Sequence, residues 1–304
     1  MYKTVYIPDK NICLDEALCH WRGRAAFRVY MEDKPVKWGI KLYELCERES
    51  GYVWNLEVMC HQPVVSNKLH DIVHRLLDTL VNSGYQLFVD NYYCCPTLAH
   101  SLAALDTEVV GTVRSNREGI PKDLVTQPMA RGDVDHRRLN QVLVLRWKDK
   151  RDVFMVTTVH RPLMQEVRSR SEDRRKPTAV VDYINNLAGV DHSDQLVSYM
   201  PMHRKTIKRW KKLAFHFLTL IMIQAHCLYL NLRKQQNKKP VILEDFATSV
   251  CGDLVRFPRS DADTGAAVPA ADDLNHLTGR HFTTRSKSTA CHVSYMKAKA
   301  HPVS

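Results

Sequence analysis

The sequence predicts an α/β fold, a mixed sheet flanked by helices and interrupted by a β-rich insertion. Three observations predict it. Two β-rich segments are joined by a short turn, an amphipathic helix follows, and a buried apolar run then ends on a carboxylate.

The elements follow in order. Ile12-Cys13-Leu14-Asp15 is a short strand-like run ending at an acid. Residues 38–47 (WGIKLYELCE) and 51–60 (GYVWNLEVMC) are β-rich, and Arg48-Glu49-Ser50-Gly51 suits a hairpin turn between them. Leu69, Ile72, Val73, Leu76, Leu77, Leu80 and Val81 recur at spacings of three and four, which predicts one apolar helix face. Ser66 or Asn67 is expected to cap that helix and Gly84 to stop it. Gln86-Leu87-Phe88-Val89 then forms a buried strand that delivers Asp90. Strand ends are where such sheets present side chains to a crevice. Antiparallel strands followed by a helical crossover to a further strand are the order of an RNase H-like core.

The second half is read as follows. Val109 to Val113, Gln141 to Trp147 and Val153 to Val159 are strands, the last two joined across Lys148-Asp149-Lys150. Residues 164–177 are polar and charged, which suggests a mobile loop. From 178 to 233 the chain reads as helical, interrupted at Asn185, Gly189 and Pro201. Leu213 to Leu232 is apolar but carries His216, Gln224 and His226, so a core helix is expected there and no membrane span. A short helix is expected near Leu243–Ser249 in an otherwise weakly periodic tail. The expected organisation is a first part of the core (1–106), a β-rich insertion with a charged loop (107–177), a helical end with a basic patch (178–239) and a poorly ordered tail (240–304).

Charge narrows the function. The net charge is +11 and the pI about 9.2, which favours polyanionic partners. Ten of those eleven net charges fall in residues 160–239, where sixteen Lys and Arg meet six Asp and Glu. Any single tract there, such as Arg174-Arg175-Lys176, reads first as a solvated loop, and the concentration as a whole carries the signal. The nine cysteines form no C-x-x-C pair and are odd in number, which points to reduced thiols in the cytosol or nucleus. The opening MYKTVYIPDK is too polar for a signal peptide. No H-x-x-x-H zinc signal is expected from the fifteen histidines.

The carboxylates carry the candidate chemistry. Phosphodiester cleavage and strand transfer need nucleophile and leaving oxygen held in line, which two Mg²⁺ ions about 3.5–4 Å apart accomplish when acidic side chains fix them. Mg²⁺ takes oxygen ligands and keeps several waters, so three or four carboxylates from separate elements suffice. Asp15 and Asp90 come from strand ends. Asp191 and Asp194 stand three apart in GVDHSDQL and share a helix face. On spacing alone, helix capping explains that pair as well, and a lone Asp at a strand end also starts ordinary loops.

The motifs LDEAL and WRGR, FRVYMEDKPVKWGIK, FVDNYY, GTVRSNREGIPKDL, WKDK and YINNLAGVDHSDQ occur in this order between Tyr6 and Leu232. With them the chain resembles the piggyBac transposase family, including its transposable element-derived relatives. The resemblance implies an RNase H-like fold with an insertion at 107–160, and metal-dependent DNA cleavage and transfer at TTAA targets. It implies Asp15, Asp90 and Asp191 as catalytic metal ligands, Asp194 as an auxiliary one, and two Mg²⁺ ions, with Mn²⁺ as an alternative. It implies double-stranded DNA as partner and the nucleus as location. Arg114 and Arg117 would lie near DNA. Within HRKTIKRWKK, Arg204, Lys205, Lys208, Arg209, Lys211 and Lys212 would contact phosphates, with Trp210 as a core anchor.

Departures from the family pattern qualify this. Only fourteen residues precede Asp15 where the family has a long region used in dimer formation, which weakens the expected homodimer. The stretch CHQPVVSN at 60–67 is shorter than the family's link into the helix. Cys94-Cys95 replace the usual Thr-Ser, and Cys291 alone cannot close the family's terminal zinc module. The alternative reading is therefore a domesticated or truncated DNA-binding protein without transposition activity.

Overall fold

Alternation along NICLDEALCH builds strand β1 (Asn11–His20), the centre of the sheet. Ile12 and Leu14 pack into one apolar layer, while Cys13, Ala17 and Cys19 pack into the other, so both faces are covered. The computed structural model describes residues 6–256 except 33, 61–67, 168–173, 201, 203–205, 207 and the side chain of Arg209, together with the backbone of 282–283 and 293–294. Contrary to expectation, β1 does not end at Asp15. Glu16 to His20 continue the alternation and pair antiparallel with β3 (Trp38–Glu47).

The free edge of β3 is shared by β2 (Arg28–Tyr30) and β4 (Val53–Val58), both antiparallel to it. Arg48 to Ser50 make the expected turn, and Gly51 takes the left-handed φ of 67° that closes it. Helix α1 (Leu69–Leu77) buries Ile72, Val73, Leu76 and Leu77 but ends four residues early. Asn82 and Gly84 both adopt positive φ, and the chain turns through 78–84 into β5 (Gln86–Val89). Its N-cap is Lys68, with no side-chain cap; Ser66 and Asn67 lie outside the described residues. In helix α2 (Pro96–Ala103), Cys95 substitutes for a hydroxyl cap, its Sγ accepting from the Leu98 amide at 3.4 Å.

Strand β6 (Glu108–Thr112) pairs parallel with β5, and β5 pairs parallel with β1. The core order is therefore β4-β3-β1-β5-β6 with only β3 reversed, the RNase H-like arrangement. After the short helix α3 (Lys122–Thr126) come β7 (Val134–Leu139), β8 (Val142–Lys148) and β9 (Asp152–Thr157). These strands do not make a sheet of their own. β9 pairs antiparallel with β6, and β8 and β7 follow, so the sheet grows outward to nine strands. Buried Arg146 fastens α3 to this extension, donating to the carbonyls of Leu124, Val125 and Gln127 at 2.7–2.9 Å.

The expected loop at 164–177 is instead a ribbon of β10 (Met164–Val167) and β11 (Arg174–Pro177), with its tip outside the described residues. Glu166 stands opposite Arg175, a cross-strand charge pair that favours pairing in a polar segment. Helices α4 (Thr178–Asn186), α5 (Gly189–Tyr199), α6 (Arg209–Gln235) and α7 (Leu243–Arg256) complete the described chain, with two short paired strands, β12 (Phe282–Thr283) and β13 (Val293–Ser294). Helix α7 runs seven residues past the expected Ser249, to Arg256. The remaining tail, including Cys291, lies outside the described residues. Two compact units are resolved, Met1–Val250 and Cys251–Ser304.

Helices α1 and α2 cover one face of the sheet, through Ile72, Leu76, Leu98 and Leu102. Helices α4 and α5 cover the other, through Ala179, Val180 and Val190. Helix α6 is long and apolar enough to cross a membrane by length and composition, yet only 44% of that stretch is buried. Its Gln224 accepts from the Val53 amide at 3.0 Å, and His216, Thr219 and His226 are also buried, so its inner face packs against protein.

Candidate active site

The parallel register of β1 and β5 ends on Leu14 opposite Val89, so the next residues on the two strands, Asp15 and Asp90, stand side by side. Side-chain alternation puts both on the face that carries Cys13 and Phe88, toward α4 and α5. Tyr183 of α4 senses both carboxylates, and they help to hold its phenol above its ordinary range, second to burial.

Helix α5 reaches this face because its first residue is glycine. A Cβ on Gly189 would stand 2.5 Å from Cys13 Sγ and 2.9 Å from the Glu47 carbonyl oxygen. With hydrogen there instead, the helix start seats directly on β1. Val190 is fully buried, and Asp191 and Asp194 follow one helical turn apart. Lys34 sits between them, its Nζ 3.6 Å from Asp191 and 3.1 Å from Asp194.

Burial sets the electrostatics. It pushes Asp15 up to about 8, with help from the neighbouring Glu16. It also raises Asp90, although the Tyr92 amide partly offsets this by donating at 2.8 Å. Asp194 is raised by burial against the pull of Lys34. Burial lowers Lys34, but Asp194, Asp15 and Asp191 outweigh it and hold the ammonium above its usual value.

Two acids escaped the sequence reading. Glu44 of β3 pairs with Asp15 across the sheet and is 1% exposed; burial and then Asp194 push it up to about 8, and its Oε1 has no hydrogen-bond partner. Burial also raises Glu16, but hydrogen bonds with Asp15 and Lys41 outweigh it and hold the group low. The signal for both was a charged residue inside an otherwise apolar strand run, LDEAL or WGIKLYELCE. The expectation that no H-x-x-x-H spacing exists is also wrong, since His70 and His74 stand in HDIVH on α1.

The donor chemistry suits a hard divalent cation: several desolvated carboxylates share one face with a single lysine to neutralise them. Among the described residues, however, no three His, Cys, Asp or Glu side chains stand at ligating distance of one point. The structure thus brings Asp15 beside Asp90 and Asp191 beside Asp194, with Lys34 occupying the second pair.

The basic candidates divide. Arg114 Nε donates to Asn91 Oδ1 at 3.1 Å, and Arg117 donates to the carbonyls of Asn91 and Tyr92 at 3.2 and 2.5 Å. Both line a cleft of about 330 Å³ with Cys95, Thr97, Asn116 and Glu118, and both reach Asn91, the residue after Asp90. Lys208 and Lys211 are exposed. Lys212 is not available to a phosphate: it is 9% exposed beside Cys19, and burial lowers its pKa. Trp210 is 60% exposed rather than a core anchor, with Lys211 Nζ 5.6 Å from its ring centre. Arg204, Lys205 and the Arg209 side chain lie outside the described residues.

The family model described as Transposase IS4 matches residues 1–226. This chain belongs to that transposase family, in its piggyBac-type branch. A solved structure agrees on the fold: the transposase-family chain superposes on the piggyBac transposase in a synaptic complex with hairpin DNA, determined by cryo-EM, with a TM-score of 0.71 at 22% identity. The match covers 88% of this chain and 60% of that one, so the chain spans well under two thirds of its structural relative. The fold is the mixed α/β catalytic-domain fold of that transposase. DDE transposases generally use divalent metal ions.

Proposed function

We propose that this chain is a catalytic domain for divalent-metal-dependent DNA strand cleavage and transfer, of the cut-and-paste, TTAA-directed type. The observation that carries the reading is the side-by-side placement of Asp15 and Asp90, with α5 bringing Asp191 and Asp194 onto the same face. Asp15, Asp90 and Asp191 would hold two Mg²⁺ ions, or Mn²⁺ in their place, with Asp194 auxiliary. The bound ions would supply charge neutralisation at the phosphate and an activated oxygen nucleophile.

The chain's own residues orient the substrate. Arg114 and Arg117, in the cleft beside Asn91, would take backbone phosphates of double-stranded DNA. Attack by water on a phosphodiester would break the P–O3′ bond and free a 3′ hydroxyl; that hydroxyl would then attack a second phosphodiester, forming a new O3′–P bond as the second P–O3′ bond breaks and its 3′ oxygen leaves as a hydroxyl. A nuclear location would suit work on DNA, and a homodimer would assemble only in the weakened form that the sequence implies.

A second reading has its own observation. Lys34 on Asp191 and Asp194, with no three ligands converging among the described residues, suits a domesticated or truncated DNA-binding protein without transposition activity. Incubating the purified chain with supercoiled plasmid and Mg²⁺ or Mn²⁺ separates the two. Cleavage should stop with chelator and should fall at least about a hundredfold in Asp90→Ala. Cleavage that persists in Asp90→Ala, or binding without metal-dependent cleavage, refutes the enzymatic reading.

A further inference from the structure

On the opposite face of the sheet from the aspartates, α1 and α2 are joined by a polar cluster. His70 and His74 are one turn apart on α1, with ring centres 4.6 Å from each other. Their Nε2 atoms converge on one oxygen, Ser101 Oγ of α2, at 3.0 and 3.2 Å. Ser101 donates its own proton to the Leu98 carbonyl at 2.9 Å, so the hydroxyl presents lone pairs to both rings. All three side chains are half-buried, and water retains access.

The spacing is that of adjacent ligands around a metal. Tetrahedral Zn²⁺ with bonds of about 2.0–2.1 Å has ligand-to-ligand edges of about 3.3 Å, and octahedral coordination shortens them to about 2.9 Å. The two nitrogen-to-oxygen distances fall between those limits. Two imidazoles and no thiolate select Zn²⁺, Cu²⁺ or Ni²⁺ over Mg²⁺ or Ca²⁺.

We propose that His70, His74 and Ser101 form a second metal site, specific for a divalent transition-metal ion such as Zn²⁺, which clamps α1 to α2. Each imidazole binds through Nε2, so the proton that each Nε2 gives to Ser101 in the metal-free protein moves through solvent to Nδ1, and no net proton is released. Ser101 Oγ gives the third donor, and water fills the remaining positions.

Untagged, metal-stripped full chain is titrated with Zn²⁺ against a chromogenic chelator. The variants are His70→Gln with His74→Gln, and separately Asp15→Asn with Asp90→Asn. The proposal expects one Zn²⁺ that survives the aspartate changes and weakens more than about tenfold in the histidine variant. Equal Zn²⁺ affinity in wild type and histidine variant overturns it, as does loss of the ion in the aspartate variant. X-ray absorption on Zn²⁺-loaded wild type gives a measurement independent of variant folding. Imidazole scattering from two histidines supports the site, and an oxygen-only shell rejects it.

Discussion

Gly189→Ala tests whether the seating of α5 on β1 assembles the aspartates. The added methyl would meet Cys13 Sγ at 2.5 Å and the Glu47 carbonyl oxygen at 2.9 Å, both inside van der Waals limits. Cys13 is fully buried and Glu47 O belongs to a paired strand, so the helix start is the part that must yield. Overpacking of this kind costs about 1–3 kcal/mol, and alanine's better helix propensity returns up to about 1 kcal/mol. A net loss of about 1–2 kcal/mol lowers the melting temperature by roughly 2–8 °C in a unit of this size. Urea denaturation and thermal melting measure it. Adding Cys13→Ala removes the closest contact but leaves the carbonyl, so the double variant should recover only part of the loss. If the proposed cleavage holds, it should fall further than stability explains, because Asp191 and Asp194 move with the helix. A Gly189→Ala protein as stable and as active as wild type would refute the close-approach argument.

Three further outcomes follow from the geometry. Glu44 has a folded value of about 8, above the ordinary 4.5, so the folded chain holds the extra proton. Its stabilising share is complete at acid pH and is lost as pH rises from about 4.5 to about 8. Glu44→Gln in metal-free buffer should flatten that decline by a few kcal/mol in urea titrations across pH, leaving the part due to Asp15; an unchanged slope contradicts the assignment. Arg146→Ala strips the carbonyls of Leu124 and Val125 in α3, that of Gln127 at its end, and the carboxylate of Asp152 of their donor, at a cost of about 3 kcal/mol or more, read as a lower urea midpoint and early proteolysis within 122–152. Arg114→Ala with Arg117→Ala should weaken DNA binding across sequences and reduce the salt slope of log K by about 2, and an unchanged slope would remove the cleft from the DNA path.

Much of the core was legible because it rests on local pattern. The apolar spacing of Leu69 to Leu77, the hairpin at Arg48–Gly51 and the apolar run before Asp90 each encode one element through its own periodicity. What was misread depends on partners far away in sequence. Nothing in LDEAL states that the strand continues past Asp15; its pairing with β3 does. The polar segment 164–177 carries no apolar alternation, so its ribbon, visible only in the pairing of Met164–Val167 with Arg174–Pro177, was hidden. Lys212 and Trp210 were assigned by residue type, yet α6 turns the lysine inward and the tryptophan outward. Glu44 was hidden because an acid within a largely apolar strand shows its meaning only once Asp15 and Asp194 are beside it.

The four aspartates stand on two kinds of support. Asp15 lies in β1 and Asp90 directly follows β5, two neighbouring strands locked by backbone pairing on both sides, so the pair acts as the fixed jaw of a calliper. Asp191 and Asp194 ride on a helix that rests on one glycine and is gripped by one lysine. Any adjustment of the gap therefore falls to the helical jaw, and a sliding step of one residue along its axis is worth about 1.5 Å. Cation affinity in this protein would then report how firmly that jaw is clamped, more than which acids line it.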